Sequence, residues 1–391
     1  MIQTADRLET VQEYYFSKKL REVRGLMAKG RPIINMGIGS PDLAPSENVI
    51  REIQNAVNDK GAHQYQSYQG LPELREAIAA FYDSKFDAQL NATNEILPLM
   101  GSKEGIMHIS MAFLNEGDEV LIPNPGYPTY TSVSKLVGAV PRYYDLTEKK
   151  GWFPDLEYLE KEDLSKVKLM WLSYPHMPTG ATASISQFEK LVAFAKRNDI
   201  LLINDNPYSF VLNTNPKSIL SIDGAKEIAL ELNSLSKTFN MAGWRVGMVL
   251  GSESHINSIL KVKSNMDSGM FRPLQLAAVR ALQLSPDWYQ SQNKHYRERQ
   301  EIVFRIMDSL NCTYQKDQVG MFVWAKIPNG YKDSYVLSDH LLDRTGVFVT
   351  PGGIFGEGGK NYIRISLCAK PEVLKAALGK FKQIKLNNKT V

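Results

Sequence analysis

The sequence predicts an α/β protein with a large three-layer domain, built on a mainly parallel sheet, and a smaller α+β domain. Short apolar runs alternate with amphipathic segments through the middle of the chain, which is typical of buried parallel strands separated by helices. The chain has 391 residues. This exceeds the length at which a single hydrophobic core keeps growing, so two domains are expected.

Five apolar runs are predicted to be strands of the large sheet: Glu119–Ile122, Val167–Leu172, Ile200–Ile203, Ile228–Leu232 and Gly247–Leu250. Two amphipathic helices support this interpretation. One is predicted to begin at Pro72, because proline suits the first turn of a helix. The other is predicted to begin at a capping box formed by Ser186 and Glu189. Strand–helix–strand repetition indicates a sheet covered on both faces.

The two ends of the chain are predicted to build the smaller domain together. Residues 6–30 are charged and helical in pattern, a long helix is expected from about Pro286, and a last helix from Pro371. The predicted division is residues 1–46 for the N-terminal part of the small domain, 47–285 for the large domain, and 286–391 for the C-terminal part of the small domain.

Composition excludes several classes of protein. The net charge of +4, with 43% hydrophobic and 23% charged residues, indicates neither a nucleic-acid nor a membrane partner. The two cysteines, Cys312 and Cys368, are isolated, which fits a reducing compartment. The N-terminus lacks a signal-peptide pattern, and no apolar run approaches the ~18 residues of a membrane span. We therefore expect a cytoplasmic protein.

The densest chemical signal follows the strand predicted at Ile228–Leu232. Ser234, Ser236, Lys237 and Arg245 stand close together there. Hydroxyls and a guanidinium can bind a phosphate, while a partly desolvated lysine becomes a nucleophile. A loop with incidental charges is the alternative interpretation of the same residues.

This segment, Ser-x-Ser-Lys-x-x-x-x-x-Gly-x-Arg-x-Gly, resembles the lysine motif of the class I/II aminotransferases, which are fold type I enzymes that use pyridoxal 5′-phosphate (PLP). Further motifs match in order along nearly the whole chain. The resemblance implies that Lys237 carries PLP as an aldimine, and that Ser234, Ser236 and Arg245 bind the cofactor phosphate.

A second phosphate-binding element is predicted where Ile96–Met100 runs into Gly101-Ser102-Lys103. Backbone N–H groups at a helix N-terminus bind phosphate with the help of the helix dipole. An ordinary strand–helix turn would show the same pattern. In the family this position supplies amides to the phosphate, which implies that role for Ser102 and Lys103.

Asp205 ends an apolar run, and a carboxylate at the carboxyl end of a parallel strand points into the crevice where such sheets bind ligands. A helix N-cap is the alternative. The family pattern Asp-x-x-Tyr implies that Asp205 pairs with the pyridine nitrogen and that Tyr208 donates to the phenolic O3′ atom.

Tyrosines at two other positions match the family. Tyr127, in a Pro-Gly-Tyr-Pro turn, could be a core residue or could stack on a ring; the resemblance implies stacking on the pyridine. Tyr65 matches the tyrosine that reaches the cofactor phosphate of the neighbouring subunit. The resemblance thus implies a homodimer with shared active sites.

The substrate site is predicted around Arg364, which interrupts an apolar alternating run. A buried arginine is costly unless it meets an anion, and its planar fork suits a carboxylate. The resemblance implies that Arg364 binds the substrate α-carboxylate and that the backbone of Gly39 assists. The histidine spacing predicts no metal site.

The match fails at one place. The family usually has an asparagine that donates to O3′, whereas this chain has Met177 there, and a thioether donates no hydrogen bond. The resemblance then leaves Tyr208 as the O3′ donor. His176 could substitute for the asparagine, or it could be a structural or solvent-facing residue.

The resemblance implies a ping-pong transfer of an amino group between an L-amino acid and a 2-oxo acid through the Lys237 aldimine. A PLP-dependent carbon–sulfur β-lyase and a catalytically silent PLP-binding regulatory module are the alternatives. The segment Lys263–Gln275 resembles the subgroup with bacterial LL-diaminopimelate and alanine-type aminotransferases. Within it, Arg272 could bind a distal carboxylate or could be a surface residue.

Overall fold

The structure is a computed structural model that describes residues 2–11 and 15–384. The last seven residues of the predicted C-terminal domain, and part of the helix predicted over residues 6–30, therefore lie outside the described residues. Within the described ranges, no helix combines the length and the apolar character that a bilayer crossing requires.

Twelve strands are formed by the described residues. In chain order they are β1 (Ile34–Asn35), β2 (Ile96–Leu99), β3 (Glu119–Asn124), β4 (Val140–Asp145), β5 (Val167–Leu172), β6 (Leu201–Asp205), β7 (Ala229–Ser234), β8 (Gly247–Leu250), β9 (Phe322–Lys326), β10 (Val347–Phe348), β11 (Thr350–Pro351) and β12 (Tyr362–Ser366).

The same ranges form thirteen α-helices. They are α1 (Tyr15–Ala28), α2 (Glu47–Ala56), α3 (Pro72–Phe86), α4 (Ser102–Phe113), α5 (Pro128–Leu136), α6 (Leu156–Leu159), α7 (Ile185–Asn198), α8 (Leu235–Thr238), α9 (Glu253–Lys263), α10 (Arg272–Leu282), α11 (Pro286–Ser309), α12 (Ser334–Thr345) and α13 (Pro371–Lys382).

The large sheet has seven strands in the order β2-β8-β7-β6-β5-β3-β4. Strand β8 runs antiparallel to its neighbours β2 and β7, and every other pair is parallel. Helices pack on both faces, and apolar side chains are buried in a separate cluster on each side. The predicted α/β class with a mainly parallel sheet is confirmed.

Two central strands extend further than their apolar runs predicted. Strand β6 continues to Asp205, and β7 continues through Asn233 to Ser234. The added residues of β7 pair with Met248 and Gly247 of β8. Hydrophobic periodicity does not reveal these ends, because their polar side chains are kept in the sheet by ladder hydrogen bonds.

The helix predicted to begin at Ser186 begins two residues earlier. Ser184 is the N-cap of α7, and its side chain accepts from the N–H of Gln187, while the Gln187 side chain accepts from the N–H of Ser184. The prediction of a box formed by Ser186 and Glu189 was wrong. Two matches to the same pattern overlap here, and the earlier one satisfies the free N–H groups of a helix that starts at Ile185.

The remaining strands form two small sheets. Strand β1, from the N-terminal part of the chain, pairs in parallel with β10, and β11, β12 and β9 form an antiparallel sheet. An ion pair also joins the chain ends, because the buried Arg299 guanidinium donates to both carboxylate oxygens of Asp42 at 2.6 and 2.9 Å. The two ends of the chain thus pack together.

Candidate active site

A cavity of about 490 Å³ lies beside the residues that end or follow β5, β6 and β7. Eleven of the twelve predicted site residues line it; Tyr65 does not. The lining residues are Gly39, Ser102, Lys103, Tyr127, Tyr130, Ser173, Met177, Asp205, Pro207, Tyr208, Ser234, Ser236, Lys237, Ala242, Arg245, Phe322, Phe355 and Arg364. This clustering matches the position where open α/β sheets bind ligands.

Lys237 lies in the short helix α8. The N-cap Ser234 starts this helix by accepting from the N–H of Ser236 at 3.1 Å. The Lys237 Nζ atom donates to the carbonyl oxygen of Gly39 at 2.7 Å. Burial lowers the pKa of the Lys237 amine, which favours the neutral, nucleophilic form.

Asp205 is buried, and its two carboxylate oxygens have different surroundings. The Tyr130 hydroxyl donates to Oδ2 at 2.8 Å, whereas no described group hydrogen-bonds the buried Oδ1. Burial raises the pKa of Asp205 to about 7, against the opposing effects of the Tyr130 hydrogen bond and the nearby Lys237. An acceptor atom is thus available to a donor that enters the cavity.

Tyr130 was not predicted as a site residue. Its ring is fully buried and stacks on Trp171 with centroids 4.7 Å apart and planes at 6°. It also meets the Tyr127 ring edge-on at 5.5 Å. The sequence did contain a signal, because Tyr127 is the N-cap of α5 and Tyr130 follows three residues later, a spacing that places two side chains on one face.

A second part of the cavity carries groups that can bind an anion. Helix α4 begins at Ser102, so its free N–H groups are at this end. Ser234 and Ser236 face each other with hydroxyl oxygens 2.7 Å apart, and Arg245 Nη1 lies 3.5 Å from the Ser236 hydroxyl. Hydroxyls, amides and a guanidinium form a phosphate-binding set.

Arg364 lies on β12 between two aromatic rings. Its guanidinium carbon is 3.8 Å from the ring centroid of Phe322 and 4.7 Å from that of Phe355. Nη2 donates to the Gly37 carbonyl at 3.1 Å. The rings hold the planar group in place, and this preorganisation suits a bidentate carboxylate contact.

The aromatic contacts of Arg364 were not predicted, because Phe322 and Phe355 have no motif of their own and meet it only through folding. The position of the Phe322 ring also explains why residue 39 is a glycine. A Cβ atom at Gly39 would lie 2.7 Å from the Phe322 Cε1 atom, so a side chain there would displace the ring that packs on Arg364.

Met177 lines the cavity. Its sulfur accepts a hydrogen bond from Arg364 Nη1 at 3.4 Å. His176 is buried, does not line the cavity, and its Nδ1 atom lies 2.8 Å from the Thr179 hydroxyl. Burial lowers the pKa of His176 to about 3, so this histidine is a neutral structural residue.

Two residues considered for the site lie elsewhere in the single chain. Tyr65 is 90% exposed, which leaves it accessible to another subunit. Arg272 lies at the start of α10, where its Nη1 atom is 3.2 Å from Asp59. Tyr208 does line the cavity, and burial raises the pKa of its hydroxyl, which keeps it protonated.

A group of possible metal ligands lies outside this cavity. Glu104, His108 and Asp267 each place one ligand atom within 4.8 Å of the others. The Lys263 ammonium already lies 2.8 Å from Asp267 Oδ2, so a cation would meet a positive charge. We assign no metal to this cluster.

A buried lysine, a strand-end aspartate and a helix N-terminus on one cavity are the combination found in fold type I PLP enzymes. Residues 31–381 match the family model for aminotransferase class I and II, and the chain belongs to this family. It is therefore a PLP-dependent aminotransferase, whose substrates are amino acids and 2-oxo acids.

Relatives match over nearly the full length. The chain is 41% identical to an LL-diaminopimelate aminotransferase of Natranaerobius thermophilus, over 97% of this chain and 98% of that protein. It is 38% identical to one from Dehalococcoides mccartyi, with the same coverage. Substrate-bound BacF from Bacillus subtilis is 36% identical, with a TM-score of 0.94 and 98% of each chain covered.

Two features of the cavity fit PLP. The unpartnered Oδ1 of Asp205 can accept from a protonated ring nitrogen. At the other end of the cavity, a Cβ atom at Gly247 would lie 2.6 Å from the N atom of Ser102. The lack of a side chain at Gly247 therefore lets the turn at Gly101 and Ser102 approach β8.

Proposed function

We propose that Lys237 is the residue that binds PLP covalently and transfers the proton in transamination. The observation that carries this proposal is the convergence of Lys237, Asp205 and Arg364 on one cavity. When bound, PLP supplies an electron sink for breaking bonds at the substrate Cα. The amine of Lys237 would remove the proton from that carbon.

The other residues would hold the reactants in place. We propose that Asp205 Oδ1 keeps the proton on the ring nitrogen, that Tyr208 donates to O3′, and that Tyr127 stacks on the ring. Ser102, Lys103, Ser234, Ser236 and Arg245 would bind the phosphate. Arg364 and the backbone of Gly39 would bind the α-carboxylate, with Lys237 released from the Gly39 carbonyl.

Replacement of Lys237 tests this assignment. Lys237→Ala should lack the visible band of lysine-bound PLP and should lose transamination, because no amine remains to bind the cofactor or carry the proton. The matched control is Lys226→Ala, which removes a surface lysine paired with Glu95 at 2.9 Å. Retention of both the band and full turnover in Lys237→Ala would reject the proposal.

We further propose LL-diaminopimelate, or an amino acid with a similarly polar side chain, as the amino donor. The support is the identity of 36–41% to enzymes named for that substrate, over nearly the whole chain. A donor panel that includes LL-diaminopimelate, alanine, glutamate, methionine and phenylalanine, read by loss of the visible band in a single turnover, decides this. A faster reaction with an apolar donor would reject it.

The assembly is proposed to be a homodimer in the cytoplasm, with Tyr65 of each subunit reaching the phosphate of the other. The exposure of Tyr65 supports this arrangement. We also propose residues 47–285 as the large domain, and residues 1–46 with 286–391 as the small one, because β1 pairs with β10. Limited proteolysis and solution mass measurements test these two points.

The alternative functions have no observation in their favour. The β-lyase hypothesis depended on His176, and that ring is bonded to Thr179 outside the cavity. A silent regulatory module is set aside because the chain belongs to an enzyme family.

A further inference from the structure

Another buried carboxylate lies outside the cavity, next to the strand that ends at Asp205. Glu231 of β7 is fully buried, and it has at least four hydrogen-bond donors besides the side chain of Ser218. Its Oε1 atom accepts from the Tyr82 hydroxyl at 2.9 Å and from Asn206 Nδ2 at 3.1 Å. Its Oε2 atom accepts from Asn204 Nδ2 at 3.3 Å and from the N–H of Ile219 at 3.1 Å.

Two of these donors flank Asp205. Successive side chains of a strand point to opposite faces, so Asn204 and its second neighbour Asn206 point to the face opposite Asp205. Both amides bind the same carboxylate. Glu231 therefore fixes the backbone on each side of the residue proposed to bind the ring nitrogen.

The same network reaches the lysine segment. Tyr82 donates to Glu231 and accepts from Asn233 Nδ2 at 2.8 Å. The Oδ1 atom of Asn233 in turn accepts from the N–H of Ser234 at 2.7 Å. Ser234 is the N-cap of the helix that contains Lys237, so the network holds the start of that helix.

A third connection runs to the loop that contains Met177. Asn204 donates to Glu231 through Nδ2 and accepts from the N–H of Tyr174 through Oδ1, at 3.0 Å. The carboxyl ends of β5, β6 and β7 are thereby joined through side chains that meet at Glu231, and each end leads to residues of the cavity.

We infer that Glu231 is a positioning residue for the PLP site: it sets the geometry of Asp205 and of the Lys237 segment without touching the cofactor. The inference rests on the proposed roles of those two residues. Glu231 does not line the cavity, so we infer that it acts on the site through Asn204, Asn206 and the Tyr82–Asn233 pair.

Replacement of Glu231 by glutamine tests this role, because both oxygens of Glu231 are needed as acceptors. At least four donors meet two oxygens, and an amide NH₂ in place of either oxygen would face donors instead of accepting from them. Glu231→Gln keeps the shape of the side chain and still leaves at least two buried donors without an acceptor. Relaxation of β6 should then move Asp205 away from the ring nitrogen.

The experiment measures PLP affinity and melting temperature, with and without PLP, for three full-length variants. Glu231→Gln should bind PLP at least tenfold more weakly, so that PLP raises its melting temperature less than it raises that of the parent. Tyr82→Phe, which removes one donor and its link to Asn233, should show a smaller effect in the same direction.

Ser338→Ala is the control for a purely structural loss. It deletes the buried hydrogen bond that the Ser338 hydroxyl, in α12, donates to the Val349 carbonyl. It should lower the melting temperature equally with and without PLP and leave PLP affinity unchanged. The same behaviour in Glu231→Gln would overturn the inference. If Glu231→Gln does not fold, unchanged PLP affinity in Tyr82→Phe would overturn it.

Lys237→Ala, measured alongside, separates the two proposals. If Lys237→Ala loses the visible band while Glu231→Gln binds PLP with normal affinity, only the positioning role of Glu231 is rejected. Retention of the band in Lys237→Ala would reject the proposed function, whatever Glu231→Gln shows.

Discussion

The burial of Asp205, which its proposed catalytic role requires, lowers the stability of the PLP-free protein. Burial raises its pKa from 3.8 to about 7, so the folded protein binds this proton more tightly than the unfolded chain does. Because Asp205 ionises in the unfolded chain from about pH 4 but in the folded protein only near pH 7, the free energy of unfolding falls as the pH rises between these values. One pKa unit corresponds to about 1.4 kcal/mol, so the total is about 4 kcal/mol.

Asparagine at position 205 should remove this cost. We expect PLP-free Asp205→Asn to be more stable than the PLP-free parent by about 4 kcal/mol at pH 8. At pH 5 the gain should be smaller, about 1.6 kcal/mol, because the pH is then only about one unit above the pKa of the unfolded carboxyl. Urea unfolding at the two pH values measures the difference. Asp223→Asn, at an exposed position, is the control; equal stability of Asp205→Asn and parent at pH 8 would contradict the expectation.

Met177 tests the departure from the family pattern. Its sulfur lies next to Arg364 in the cavity, so an asparagine there could reach the proposed O3′ position. A donor to O3′ stabilises the phenolate by itself and weakens its hold on the shared proton of lysine-bound PLP. One such bond is worth about 1.5 kcal/mol, or about one pKa unit.

The expected result for Met177→Asn is a visible band that titrates at a pH lower by about one unit. Met177→Leu is the matched control, since it keeps an apolar side chain and adds no donor; its band should titrate as in the parent. An unchanged or higher titration pH in Met177→Asn would mean that this side chain does not face O3′ in the bound state.

At the scale of elements, the approach of α4 to β8 depends on Gly247. A Cβ atom there would lie 2.6 Å from the N atom of Ser102 and 2.8 Å from the carbonyl carbon of Gly101. These are backbone atoms, which cannot rotate away as a side chain can. The start of α4 would have to move, and its amides are the proposed phosphate donors.

Gly247→Ala should therefore weaken PLP binding by at least tenfold and lower the melting temperature of the PLP-bound protein. Gly243→Ala is the control in the same segment, because a Cβ atom at Gly243 meets nothing within 4 Å. Equilibrium titration with PLP gives both affinities. If Gly247→Ala bound PLP as tightly as Gly243→Ala, the close approach would not matter for the site.

At the scale of the whole molecule, the site of a single chain lacks one predicted residue, Tyr65. Tyr65→Ala and Lys237→Ala should each lose most activity as homodimers. Under subunit exchange, a mixed dimer has one site with both residues intact, so up to a quarter of the parent activity should return at equal mixing. Confirmed exchange with no recovery would reject the shared site.

The sequence alone determined the class, the order of elements and most of the cavity. Apolar runs identified the strands because burial between helices requires them, and the lysine motif identified Lys237, Ser234, Ser236 and Arg245. These signals are local, since each depends on residues close together in the chain. The sequence pattern did not predict the end of β7. Asn233 and Ser234 are polar, and they stay in the sheet because they pair with β8.

Only the tertiary structure decided which distant side chains meet. The Tyr130 hydroxyl donates a hydrogen bond to Asp205, 75 residues away in the chain. The rings of Phe322 and Phe355 enclose the Arg364 guanidinium. Glu231 accepts hydrogen bonds from separate elements. None of these contacts has a fixed spacing, because packing of the helices on the sheet creates them. The sequence therefore indicated which groups we propose for the chemistry. The three-dimensional packing decided how those groups are held and how strongly burial changes their pKa values.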